Sequence, residues 1–259
     1  MPDKLRALHG KLSQLLAPYF NQAESYETIK LVDEYRQYWR PDSSNKVNVI
    51  LLAESHVFTT DTDRQFKINP IESLPNCPMQ YAKFVYCLAY GEDSLIQSNN
   101  HPAVRDGSPQ FWKILFSCVN KIESNESFSK ILKSRTKNDE QRILNKIELL
   151  KSLRDRGIWL VDASVMALYD GGKKPSANVI RQAIRESWLC YTQNVIQEAN
   201  PNHIIVVGRG VAEIVEPYLK TLEKKYTVIP QPQAHLSAQE HLDNFKLYYD
   251  LCNKCEVTK

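Results

Sequence analysis

The sequence predicts an α/β protein, a parallel sheet covered by helices on both faces. Apolar runs of strand length recur at residues 47–53, 157–162, 203–208 and 226–229, and helical patterns separate them. At 259 residues, 42% hydrophobic and 24% charged, the chain is long enough to bury one substantial core. Strand runs alternating with amphipathic segments are the signature of crossover connections between parallel strands.

Each element has its own local reason. Residues 4–40 read as helical: Leu5, Leu8, Leu12, Leu15 and Leu16 share one face, a second segment runs from Thr28 through Tyr35 to Trp39, and the Pro41-to-Asn45 stretch stops it. Residues 47–53 then form an apolar strand ending in Glu54-Ser55-His56. Residues 59–78, rich in Asp, Thr, Asn and Pro, predict a long irregular loop of the kind that is functional or mobile. A helix over residues 110–121 turns Phe111, Ile114, Leu115 and Cys118 inward. One or two helices follow in 127–156, where Leu144, Ile147, Leu150 and Leu153 are apolar and nine Lys or Arg face four Asp or Glu between Lys130 and Arg156. That basic stretch predicts a solvated helix face, with a nucleic-acid backbone contact as its alternative. Strand 157–162 leads through a Gly171-to-Pro175 turn into a helix over 176–199. Strand 203–208, a helix over 211–225, strand 226–229 and a helix over 236–252 complete the rhythm.

Bulk properties narrow the function classes. A net charge of +3 permits an anionic partner without marking a dedicated nucleic-acid protein. Lys4, Arg6, His9, Lys11 and Gln14 interrupt any apolar leader core near the N-terminus, and no run approaches about 18 apolar residues. The expectation is a cytoplasmic or nuclear protein, not a secreted or membrane one. Cys77, Cys87, Cys118 and Cys190 lie in apolar surroundings and read as reduced core residues. Cys252 and Cys255 have the spacing of half a zinc site, but no second pair accompanies them, so no metal and no cofactor are expected.

The candidate site lies at the strand ends. In open parallel sheets, ligand-reading groups sit beyond the carboxyl ends of the strands. Asp162 closes the run Gly157-Ile-Trp-Leu-Val-Asp162; Glu54, Ser55 and His56 close the first strand; an aromatic segment ends at Tyr90-Gly91; and Gln231 through Ser237 follows the last strand. A carboxylate pair, an aromatic wall and a histidine-bearing loop would converge there.

In order and spacing these motifs resemble the uracil-DNA glycosylase family from about Val47 to Tyr249, leaving residues 1–45 as an N-terminal helical extension to a glycosylase-like domain over 46–259. Val49-Ile-Leu-Leu-Ala-Glu-Ser-His56 resembles the strand leading into the family's G-Q-D-P-Y-H motif. Cys87-Leu-Ala-Tyr90 resembles its G-L-A-F segment, and Gly157-Ile-Trp-Leu-Val-Asp162-Ala163 its G-V-L-L-L-N-A motif. Ile205-Val-Val-Gly208 resembles the following strand, and Gln231-Pro-Gln-Ala-His-Leu-Ser-Ala238 is similar to H-P-S-P-L-S-A. The resemblance implies a three-layer α/β/α fold with a short central parallel sheet plus extra N-terminal helices. It also implies a DNA-repair hydrolase that flips a base out of the stack and cleaves its N-glycosidic bond. Glu54, His56 and His235 are the implied catalytic candidates; Tyr90, Asp162 and Gln231 would grip the base; Ser55, Ser108, Leu236 and Ser237 would contact DNA, Leu236 as the wedge.

The departures change the chemistry. Ser55 stands where the family has its water-positioning aspartate, flanked by Glu54 and His56, and the family's last-motif histidine is replaced by Gln231 or Pro232, with His235 just before the wedge leucine. Asp162 replaces an asparagine; an ionised carboxylate only accepts, favouring an exocyclic amine such as that of cytosine or adenine, whereas burial could protonate it and restore a donor. DNA is thus the expected partner, with a protein partner conceivable through the N-terminal helices or the 127–156 segment. The competing expectation is a catalytically inactive member of the fold that binds DNA, a nucleotide or a protein. A dinucleotide site at Gly208-Arg-Gly210 is disfavoured, because Glu213 stands where a third glycine belongs.

Overall fold

A computed structural model describes residues 2–20, 22–42, 46–97, 107–170, 172–232 and 235–254. Helices α1 (Pro2–Leu16) and α2 (Tyr26–Tyr38) precede strand β1 (Val49–Ala53). The short α3 (Asp61–Arg64), α4 (Pro109–Val119) and α5 (Asp139–Asp155) lead to β2 (Ile158–Asp162). The chain continues through α6 (Ala177–Ser187), α7 (Gln193–Ala199), β3 (His203–Val207), α8 (Arg209–Thr221), β4 (Tyr226–Ile229) and α9 (Ala238–Lys254).

All four strands are parallel, in the order β2-β1-β3-β4. The expected α/β class and parallel sheet are therefore present. Every residue of β1 and β2 is buried, which explains why these strands are written as continuous apolar runs and not as alternations. Edge strand β4 is half-buried over Tyr226–Val228 and accordingly mixes Tyr and Thr into its sequence. α8 packs on β3 and β4 and against α6, which also meets α1; α4, α5 and α9 form a second group in which α5 reaches β2.

Local chemistry fixes the helix starts. Ser25 accepts the Thr28 N–H, Asn138 accepts the Gln141 N–H, and Pro109 occupies the first turn of α4. The N-terminal residues, expected as an extension, contribute Leu5, Leu8, Leu12 and Leu16 to the same apolar core as the strands. Leu15 is only half-buried, at the margin of that face.

Three expectations are corrected. Residues 59–78 are not one irregular loop: Thr60 and Asp63 form a reciprocal capping box that starts α3, and Ile68 bridges to Ile96. The expected helix over 176–199 is interrupted by a π-helical turn at Trp188–Thr192. The basic stretch is not simply a solvated face, since Arg142 and Lys146 are fully buried on Glu92. Gly171 of the expected turn, residues 43–45 of the expected stop, and Cys255 lie outside the described residues. Among the described residues no helix is long and apolar enough to cross a membrane, and Cys77, Cys87, Cys118, Cys190 and Cys252 are free thiols.

Candidate functional site

The register of the sheet builds the site. Ala53 of β1 pairs with Asp162 of β2, and the ladder extends past both strands, with Ala163 N–H donating to Ala53 C=O (2.7 Å) and Ser164 N–H to Glu54 C=O (3.0 Å). Glu54, Ser55 and His56 therefore leave the sheet beside Asp162. On the other flank of β1 lies β3, which runs into Gly208, and next to it β4 runs into Pro230 and Gln231.

Asp162 is buried and not alone. Its Oδ2 accepts from Arg36 Nη2 (3.2 Å) and lies 3.7 Å from His56 Nδ1, too long for a direct hydrogen bond but close enough for charge attraction. Arg36 also donates to Asp33 (2.9 Å), which accepts from Tyr191 Oη at 2.8 Å. On its far side His56 donates from Nε2 to Glu24 Oε2 (2.9 Å). The Glu24 carboxylate additionally accepts the N–H groups of Thr59 (3.2 Å) and Ala167 (3.0 Å). Carboxylates and cations thus alternate from Glu24 through His56, Asp162 and Arg36 to Asp33.

This arrangement sets the charge of the histidine. Burial alone would lower its pKa, yet the Glu24 carboxylate, aided by Asp162, overrides that and raises it from 6.5 to about 9. His56 is an imidazolium at neutral pH, already committed to Glu24. Arg36 is also held charged: burial opposes it, but Asp162 and Asp33 raise its pKa further.

The more accessible groups form a second tier. Glu54 is half-buried, 3.5 Å from Lys174 Nζ. Ser55 is engaged with the backbone, its hydroxyl donating to His56 C=O (3.0 Å) and accepting from Leu168 N–H (3.1 Å). Tyr90 meets Tyr81 edge to face, with centroids 6.4 Å apart. Burial raises the Tyr90 phenol pKa, a hydrogen bond with Ser108 opposes this, and Tyr169 adds to the rise, so Ser108 and Tyr169 belong to the Tyr90 neighbourhood. Gly107, at φ +63°, passes so near that a Cβ would stand 2.2 Å from Tyr90 C=O, and only glycine fits there.

The last motif divides. Gln231 lies over Gly208, where a Cβ would come within 2.7 Å of Gln231 Cγ; the bare glycine, at φ +105°, admits the amide side chain to the end of β3. His235 is exposed and Leu236 half-buried. Ser237 starts α9, its N–H and hydroxyl both donating to Glu240 at 2.7 Å while the Glu240 N–H returns to Ser237 Oγ. Residues 233 and 234 lie outside the described residues.

The structure thus brings His56 against Asp162, leaves Glu54 and Ser55 on the adjoining backbone with side chains engaged by Lys174 and the Leu168 N–H, places Ser108 with Tyr90, and sets Gln231 at the neighbouring strand ends. Sequence reasoning missed Glu24 and Arg36, which arrive from the N-terminal segment, and Tyr169 and Lys174, which follow β2. The exposed Tyr169 and the Gly-Gly-Lys-Lys run were readable as a polar loop after a strand; Glu24 and Arg36 left no such signal. No family model, curated protein or solved structure matches this chain.

Proposed function

We propose that this chain is a divergent DNA glycosylase of the uracil-DNA glycosylase type, hydrolysing the N-glycosidic bond of a base flipped out of DNA. The observation that carries this reading is the register of β1 against β2, which sets a partly accessible carboxylate, Glu54, beside the Asp162 motif at the carboxyl edge of a parallel sheet. The order β2-β1-β3-β4 strings the motif-bearing ends along that edge, and two helix groups packed around the sheet support the outer layers expected of a three-layer α/β/α fold.

Roles follow from chemistry. Glu54 is the group to orient and deprotonate the attacking water, because His56 is held by Glu24 and Ser55 by the backbone. Tyr90, with Tyr169 beside it, offers a ring face to a flipped base. Asp162, paired with a permanently charged arginine, acts as an acceptor and selects an exocyclic amine over uracil's O4 carbonyl, which has no hydrogen to donate. Gln231 or His235 supplies a donor to a base oxygen developing negative charge, and Leu236 fills the vacated stack.

One observation favours a second reading. Arg36 and Glu24 close over Asp162 and His56, both buried, as expected of a member of the fold that binds DNA without cleaving it. An excision assay on single- and double-stranded DNA carrying uracil, cytosine, hypoxanthine or mismatched thymine separates the two. The glycosylase reading expects alkali-labile strand breaks that fall about 100-fold or more in Glu54→Gln. Salt-sensitive DNA binding with no breakage on any substrate would transfer the assignment to the binding module, and absence of both would remove both.

A further inference from the structure

We propose that a groove between α5 and the loop at residues 70–73 docks an amphipathic helix of a partner protein, apolar on one face and flanked by lysines or arginines. The inference is independent of any activity at the sheet edge. The groove encloses about 770 Å³. Its α5 wall is made by Glu140, Ile143, Leu144 and Ile147, spaced as one helical stripe, and its opposite wall by Ile71 and Leu95.

This stripe only partly overlaps the one α5 uses in the fold: Ile147 is buried, Ile143 half-buried and Leu144 exposed. Leu149, Leu150 and Leu153, with Arg142 and Lys146, are buried in the interior, whereas Leu144 is 45% exposed. Exposed Leu144, with the half-buried Ile143, Ile71 and Leu95 around it, is an apolar surface that the described chain leaves partly uncovered, a mark of an interaction site. An exposed leucine set beside half-buried isoleucines and a leucine suits the apolar face of a helix lying in an open groove.

Charge decides the kind of partner. Glu72, Asp139 and Glu140 border the groove, and no lysine or arginine lines it, although α5 belongs to the most basic stretch of the chain. Asp139 is answered by Arg142 at 2.8 Å, whereas Glu72 and Glu140 form no ion pair among the described residues. Such a rim repels phosphates, which excludes nucleic acid, and attracts the cationic flanks of a basic amphipathic helix. A second copy of this chain is a poor occupant: its own basic amphipathic helices, α1 and α6, bury their apolar residues Leu8, Leu12, Ile180 and Ile184 in the core.

The test uses the full chain and two labelled helical peptides with the same leucine stripe, one flanked by lysines and the other by glutamates. Fluorescence anisotropy should show binding of the lysine peptide that weakens with salt, and at least tenfold weaker binding of the glutamate peptide. Leu144→Ser and Glu72→Lys/Glu140→Lys, surface changes whose folding is checked by circular dichroism, should each weaken the lysine peptide about tenfold or more. Equal affinity for the two peptides, no binding of either, or unchanged binding by both variants would overturn the proposal. So would a concentration-dependent dimer in sedimentation that Leu144→Ser dissolves, because the occupant would then be a second copy.

Discussion

At the scale of single residues, His56 has the clearest consequence. Its folded pKa of about 9 lies above the ordinary 6.5, so its contribution to stability is fully present below pH 6.5 and is lost as pH rises toward 9. Chemical denaturation at pH 6, 7.5 and 9 should therefore show stability falling across that window. Glu24→Gln removes the main charge that holds the proton, and should lower stability at pH 6 by about 3 kcal/mol while flattening the decline. Parallel curves for the two proteins would mean that His56 is neutral in the fold. The same residue shows what was legible locally: His56 was visible as a polar group after a strand, but its commitment to Glu24, 32 positions away, was not.

At the scale of elements, α5 shows how a charge pattern misleads. Arg142 and Lys146 are one turn apart and both donate to Glu92 at the start of the short 3-10 turn Asp93–Leu95; Lys146 also lies 4.6 Å from the centre of the Trp112 ring. In sequence these are two cations on a helix, which normally face water. A distant glutamate lets them turn inward. Glu92→Gln should cost about 3–5 kcal/mol in urea unfolding, because buried Lys146 would then face a neutral acceptor and Arg142 would rely on Asp139 and the Thr136 carbonyl, and Lys146→Met in that background should restore part of the loss. If Glu92→Gln is near neutral, the cluster is open to water. The π turn at Trp188–Thr192 is a second case: its extra residue aims Tyr191 at Asp33 and Thr192 at the Ala163 carbonyl, a tertiary demand that no 3.6-residue periodicity encodes.

At the scale of the whole molecule, the N-terminal segment is structurally joined to the sheet. Its leucines lie in the shared core, and its Glu24 and Arg36 pair with the groups at the strand ends. Deleting residues 1–45 should therefore abolish cooperative thermal unfolding, and not merely trim the chain. A truncated protein that still melts cooperatively near the full-length temperature would mark the segment as separable. The four strands, most helices and the strand-end position of Glu54 and Asp162 were readable in the sequence, because continuous apolar runs and capping residues act over a few neighbouring positions. Strand order, register and the closure of Arg36 over Asp162, 126 positions apart, came only with the tertiary structure. Backbone periodicity and hydrophobic burial are local choices that a sequence carries in its own order. The pairing of buried charges depends on which distant segments the packed core brings within a few ångströms of one another.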